Sequence, residues 1–307
     1  MEKIRLGLSN LEVSVVGLGC MRMASKNITE AVAVVQAALD AGINFFDHAD
    51  IYGKGQSEII FGHAMRELKL DRESIIIQSK CGINQTEGTF DYSKDYILES
   101  VDGILERLQT DYLDILILHR PDVLVEPKEV AEAFDILKAN GKVRHFGVSN
   151  HSGIMIDLLK KDLNVDLITN QIQLSIMHTP VFDYGLNFNN RSSLGTDHSA
   201  GIVEYSRLND MTLQAWSPFY HGYFEAVFVD NENYPLINEA MQIVADKYGV
   251  SKEAVAVAWI NRHPAKIQTI VGSMTPSRIE RIGKVSDFEM TRKEWYDLYK
   301  AAGNKLP

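Results

Sequence analysis

Short apolar, β-branched runs alternate with longer stretches of helical periodicity along almost the whole chain. The runs predict strands at Val15–Gly19, Ile43–Phe46, Ile75–Ser79, Leu113–Leu118, His145–Val148, Leu167–Asn170, Thr212–Trp216 and Thr269–Val271. Between them the pattern predicts helices such as Thr29–Ala41, Ser57–Glu67, Lys94–Arg107, Pro127–Ala139 and Leu236–Tyr248, with Gly42, Gly141 and Gly249 as stops. Repeated βα units of this length fit a (β/α)8 TIM barrel or a doubly wound sheet. The dinucleotide fingerprint separates the two: Val15-Val16-Gly17-Leu18-Gly19 is followed by Cys20-Met21-Arg22, so the three-glycine spacing fails and the barrel is expected. Ile4–Leu6 and Val13–Val15 around Gly7-Leu8-Ser9-Asn10 read as an N-terminal β-hairpin capping the barrel bottom. Phe182 to Ala200 reads as a long polar loop, expected to shape the substrate mouth together with His221 and Tyr223. No repeat, linker or low-complexity tract divides the chain, so a single domain over 1–307 is expected.

Composition narrows the class. The 307 residues are 45% hydrophobic and 23% charged, the profile of an ordered protein with a large core. A formal net charge of -10 with dispersed Lys and Arg argues against nucleic acid, which needs a concentrated basic face. The start, Met1 to Gly7, has no apolar stretch of signal-peptide length, and no segment reaches the roughly 20 apolar residues of a membrane span. A soluble, cytoplasmic protein without a membrane partner is expected. Two cysteines, Cys20 and Cys81, suit a reducing compartment and are too few for a disulfide framework.

Four polar residues stand at or just beyond the C-terminal ends of apolar runs, where a parallel barrel places its chemistry: Asp47, Tyr52, Lys80 and His119. Alone, each has a plain structural reading: a turn cap, a packed aromatic, a solvated lysine, a satisfied core histidine. Together they fit carbonyl reduction, which needs a proton donor beside the carbonyl oxygen. A phenol is a reluctant acid, and an ammonium beside it favours the phenolate. Tyr52 is thus expected as general acid, its pKa lowered by Lys80, which Asp47 holds charged, with His119 polarising the carbonyl. His48 and Asp50 resemble a metal pair but lack further ligands, and Lys80 would repel a divalent ion, so no metal is expected. Cys81, next to Lys80, is expected to be an inert thiol.

At these residues the chain resembles the aldo-keto reductase family over nearly its whole length. Gly42-Ile43-Asn44-Phe45-Phe46-Asp47, Ala49 and Tyr52-Gly53 are similar to the family's first signature. Lys80, His119, Gly147-Val148-Ser149-Asn150, Asn170-Gln171 and Trp216-Ser217-Pro218 follow in the family's order. The resemblance implies an oxidoreductase that reduces small aldehydes or ketones with a nicotinamide dinucleotide bound without a Rossmann domain. Ser149, Asn150 and Gln171 suit the carboxamide, and Trp216 offers a face for the nicotinamide ring. Met21 and Arg22 would border the nicotinamide ribose, with Ser217 and the backbone near Phe219 at the pyrophosphate, and Asp47 counts among the cofactor-binding residues as well as the catalytic ones. Gly272, Ser273 and Arg278 follow the last strand and open a helix, suiting an anion. Ser273 and Arg278 look like the family's 2′-phosphate contacts, which sets NADPH ahead of NADH. Gly272 stands where many members carry Lys, and Arg281 and Ile282 replace the usual adenine contacts, with Arg281 a substitute cation or an exposed helical residue. The alternative is a non-catalytic nicotinamide-binding sensor or regulatory protein on the same barrel; a metal-dependent barrel hydrolase is disfavoured by its missing ligands. Oligomeric state stays open between monomer and weak dimer.

Overall fold

The chain begins with an antiparallel pair, β1 (Lys3–Arg5) and β2 (Glu12–Ser14), in which Ile4 faces Val13. In the computed structural model, which describes residues 1–191, 193–222 and 225–307, it continues through β3 (Val16–Gly19), α1 (Ile28–Asp40), β4 (Phe45–Asp47), α2 (Gln56–Glu67) and β5 (Ile76–Cys81). A small hairpin, β6 (Ile83–Asn84) and β7 (Thr89–Phe90), precedes α3 (Lys94–Leu108), β8 (Leu113–Leu118), α4 (Pro127–Ala139), β9 (Val143–Ser149), α5 (Gly153–Lys160) and β10 (Leu167–Gln173). Then come α6 (Pro180–Leu186), α7 (Ile202–Leu208), β11 (Thr212–Trp216), a second small hairpin of β12 (Tyr220–His221) and β13 (Ala226–Val227), α8 (Pro235–Tyr248), α9 (Lys252–Asn261), β14 (Gln268–Val271), α10 (Pro276–Gly283) and α11 (Arg292–Ala301).

The strands β3, β4, β5, β8, β9, β10, β11 and β14 pair in parallel, each with the next, and β14 closes on β3 through Ile270 opposite Gly17. This is the expected (β/α)8 barrel. The eight predicted runs all become its strands: Leu113–Leu118 and Thr212–Trp216 match at both ends, and the other six differ by one to three residues at one or both ends. The second strand starts at Phe45 rather than Ile43 because the preceding backbone is already committed: Ile43 N–H bonds the Ala38 carbonyl at the end of α1, and Asn44 N–H bonds Ser14 Oγ. Inside the barrel, successive residues alternate between lumen and helix layer. Gly17 leaves room for its neighbours, since a Cβ there would stand 2.8 Å from side-chain atoms of both Phe45 and Ile270.

The N-terminal hairpin lies at the N-terminal ends of the strands, as expected, with Gly7 N–H bonding Thr212 Oγ1 at 2.8 Å. Its strands run one residue earlier than predicted, because Leu6 turns inward, fully buried, and bonds the Leu11 carbonyl. The Phe182 to Ala200 stretch is only partly loop. Phe182 lies in α6, buried and edge-on to Trp259 and Trp295, so an aromatic contact with α9 and α11 converts the start of the stretch into helix. Among the described residues no helix is long and apolar enough to cross a membrane.

Candidate active site

β4 and β5 set the core of the site. Their pairing continues past β4, with His48 N–H bonding the Gln78 carbonyl and Asp50 N–H that of Lys80. The following turns, closed by Tyr52 N–H on the Ala49 carbonyl, bring Tyr52 back over Lys80. The turn needs glycine at Gly53, which has φ 57° and where a Cβ would lie 2.4 Å from Ala24 Cβ. The start of α2 is pinned by Glu58, whose buried carboxylate accepts from Ser79 Oγ of β5 and Arg107 Nε of α3, each at 2.7 Å.

Lys80 is fully buried. Its Nζ donates to both Asp47 carboxylate oxygens at 2.7 Å, to the His48 carbonyl at 2.8 Å and to Tyr52 Oη at 3.2 Å. An ammonium only donates, so Tyr52 Oη accepts this bond and its own proton is left to another partner. His119 follows β8, with its ring edge-on to Tyr52 at 6.0 Å between centroids. The predicted quartet therefore comes together.

One expectation is corrected. Burial pushes the Tyr52 phenol up, Lys80 pulls it down by charge and hydrogen bond, Asp47 pushes it up again, and the balance lies above the ordinary tyrosine value rather than below it. Tyr52 holds its proton at neutral pH. Burial also works against the Lys80 ammonium, but Asp47 and Tyr52 outweigh it and raise its pKa. Burial, then the charges of Lys80 and Arg120, push His119 well below the ordinary histidine value, so its imidazole is neutral. Cys81 is fully buried and burial raises its thiol well above the usual range.

With Lys80 buried behind them, Asp47, Tyr52 and His119 line a cavity of about 300 Å³ at the C-terminal ends of the strands. Every residue expected at a cofactor lines it: Met21 and Arg22 from the turn after β3, Asp47, Ser149 and Asn150 after β9, Gln171 in β10, Trp216, Ser217 and Phe219 after β11, and Gly272, Ser273 and Arg278 after β14. Asn150 and Ser217 both take left-handed backbone, with φ 60° and 54°. Trp216 Nε1 donates to Asn150 Oδ1 at 3.2 Å, Asn150 Nδ2 donates to Ser149 Oγ at 2.7 Å, and Arg120 stands over the Trp216 ring at 5.5 Å. Arg22 donates to Tyr220 Oη at 2.5 Å. Arg278 and Arg281 share the carboxylate of Glu253 at 3.1 Å each, but only Arg278 reaches the cavity, which identifies Arg281 as its neighbour in an ion-pair cluster.

The mouth differs from expectation. No described residue of Phe182 to Ala200 lines the cavity. His221 turns away, its Nδ1 3.2 Å from Tyr234 Oη and from Glu225, and Tyr223 lies outside the described residues. Ile51, Ile83, Tyr220 and Val227 form the wall instead. Ile83 and Val227 belong to the two small hairpins, which are too short to leave a periodic signal. The buried ring of His48 packs 4.5 Å from Phe61, and neither of its nitrogens has a hydrogen-bond partner. Among the described residues no group of three or more His, Cys, Asp or Glu could hold a metal ion.

Fold and site together define a (β/α)8 barrel with a buried carboxylate–ammonium pair beneath a phenol at its strand ends. A family model described as Aldo/keto reductase family matches residues 15–302. The chain is 33% identical over 310 residues to Oxidoreductase YdhF of Escherichia coli (strain K12), covering 98% of each chain. It is 34% identical over 312 residues to a 6-dehydroglucose reductase of Novosphingobium aromaticivorans, covering 99% of this chain and 96% of that one. An aldo-keto reductase from Klebsiella pneumoniae in complex with NADPH matches in fold with a TM-score of 0.78 at 22% identity, covering 100% of this chain and 96% of that one. The chain belongs to the aldo/keto reductase family and is an oxidoreductase.

Proposed function

We propose that the protein, as one domain acting in the cytosol, reduces a small aldehyde or ketone to the alcohol with NADPH. The observation that carries this reading is Tyr52 Oη accepting from Lys80 Nζ at 3.2 Å while Asp47 holds the same ammonium at 2.7 Å. Tyr52 donates its proton to the carbonyl oxygen as that oxygen gains charge, and the ammonium stabilises the phenolate left behind. Neutral His119 directs a hydrogen bond at the same oxygen. A raised phenol pKa keeps the proton in place until the oxygen becomes basic.

The donor set fits a nicotinamide dinucleotide, which when bound supplies the hydride. Gln171 uses its Nε2 on Asp47 Oδ1 at 3.1 Å and Gln214 Oε1 at 3.3 Å, so its carbonyl oxygen is the end offered to a carboxamide. Ser149 and Asn150 would hold the same group, and Trp216 the ring. Met21, Arg22, Ser217 and Phe219 would border ribose and pyrophosphate, with Ser273 and Arg278 at the 2′-phosphate and Gly272 beside them. Arg278 favours NADPH over NADH. The 6-dehydroglucose reductase relative makes oxidised sugars the first carbonyls to try.

Loss of reduced-nicotinamide absorbance with a panel of aldehydes, ketones and oxidised sugars, run with NADPH and NADH in parallel, tests the reading. Turnover by the wild type that Tyr52→Phe abolishes, with NADPH binding retained, is expected. NADPH binding with no turnover across the panel would favour the sensor alternative, and substantial reduction by Tyr52→Phe would refute the role of Tyr52.

A further inference from the structure

The lumen of the barrel below the site is not apolar. Four glutamines from four strands meet there, and three of them, Gln78, Gln214 and Gln268, have no exposed surface. Gln268 Nε2 donates to the Ser14 backbone carbonyl at 2.8 Å. Gln214 Nε2 donates to Gln268 Oε1 at 2.8 Å. Gln214 Oε1 accepts from two amides, Gln78 Nε2 at 2.9 Å and Gln171 Nε2 at 3.3 Å. Those two amides each spend their other N–H on Asp47 Oδ1, at 2.7 and 3.1 Å.

Both ends of this chain are groups that only accept: a backbone carbonyl beside the N-terminal hairpin, and the carboxylate under Tyr52. An amide has a donor end and an acceptor end, so two accepting termini leave one consistent orientation. Gln268 must give its nitrogen to Ser14 and therefore its oxygen to Gln214. Gln214 must then turn its oxygen to Gln78 and Gln171, which forces both of their NH2 groups to face Asp47. This orientation has a cost, because Gln78 Oε1 is buried without a hydrogen-bond partner.

We propose that Gln78, Gln214 and Gln268 are positioning residues, an oriented amide relay that aims two N–H donors at Asp47 and turns the Gln171 carbonyl toward the cavity. The inference deepens the proposed reductase mechanism and rests on it for its catalytic consequence, but its structural content is independent of turnover. By sharing the charge on Asp47 Oδ1, the two donors keep Lys80 extended to Tyr52 instead of drawn wholly onto the carboxylate. The charged and titratable groups facing Tyr52 are Lys80, Asp47, Cys20 and His119, and only Asp47 is touched by the relay.

The test uses Gln78→Met and, one amide further away, Gln214→Met, which keep volume but cannot donate. Tyr52 is titrated by tyrosinate absorbance as the difference from Tyr52→Phe, a readout that needs no substrate. An upward move of the Tyr52 midpoint in both variants supports the relay, and an unmoved midpoint in folded variants overturns it, even if their stability falls. In the assay, Gln78→Met should lower kcat about tenfold with substrate KM little changed, the size expected for losing one hydrogen bond to a charged group. Should neither variant fold, side-chain amide resonances of Gln268 in the wild type decide: they shift as Tyr52 titrates if the relay couples the two ends, and stay fixed if it does not. A wild type without turnover would sink the reductase reading alone, because the Tyr52 midpoint still reports on the relay.

Discussion

Replacing Lys80 with methionine separates what the ammonium does for stability from what it does for chemistry. Lys80 and Asp47 are 0% and 3% exposed as side chains, and their charged atoms are 2.7 Å apart. Removing the cation strands a carboxylate in the barrel with only the Gln78 and Gln171 amides for support. Losing one partner of a buried pair costs about 3–5 kcal/mol, whereas replacing both charges is often close to neutral. Lys80→Met should therefore lower the urea-derived unfolding free energy by about that amount, and Asp47→Asn/Lys80→Met should recover most of it. The sign with pH follows from the raised Lys80 pKa: the contribution is fully present below the ordinary value of 10.5 and is lost only as pH climbs through the higher folded value. The gap between wild type and single variant thus persists at about pH 9. Neither variant should turn over, because Tyr52 has lost the group that stabilises its phenolate. A single variant losing less than about 1 kcal/mol, or a double variant reducing carbonyls at the wild-type rate, would refute the reasoning.

Three further outcomes are expected. Burial, with Lys80 adding to it, holds the His48 pKa down at about 3, and burial, opposed by the Ser149 carbonyl, holds that of His151 at about 4. These depressed values mean stability that is present above the ordinary histidine value of 6.5 and lost as pH falls below it, roughly 2 kcal/mol per residue by about pH 5; urea unfolding at neutral and acid pH measures this, and, because His119 and His263 are held down as well, His48→Phe should remove only its own roughly 2 kcal/mol of the loss. Arg278→Ala should raise the KM for NADPH on the order of tenfold and leave that for NADH unchanged, while Gly272→Lys, whose Cβ meets nothing within 4 Å, should lower the NADPH value; equal effects on both cofactors would contradict the 2′-phosphate assignment. Cys20 and Cys81, both fully buried with raised thiol pKa values, should resist a thiol reagent until the protein is unfolded, which a timed labelling assay reads directly.

The barrel was legible because its strands are buried on both faces and read as continuous apolar runs, against which a polar residue at a strand end stands out. Asp47, Lys80 and His119 were found that way. Gln78 carried the same signal, lying two residues before Lys80 and so on the same lumen-facing side of β5, but a lone amide in Ile75-Ile76-Ile77-Gln78 points to nothing by itself. Its meaning comes from Gln214, 136 positions later, and from a backbone carbonyl at Ser14, pairings that exist only once the barrel closes. The mouth was misjudged for a related reason. A polar loop such as Phe182 to Ala200 looks accessible in sequence, yet where it lies depends on Phe182 finding the aromatic cluster of Trp259 and Trp295. For Tyr52 the pattern of residues gave the sign of the Lys80 contribution and missed the larger opposing one, because desolvation depends on depth. Depth is set by the turn at Gly53 that folds the phenol back over Lys80, so the feature that brings the acid to its partner is also what raises its pKa.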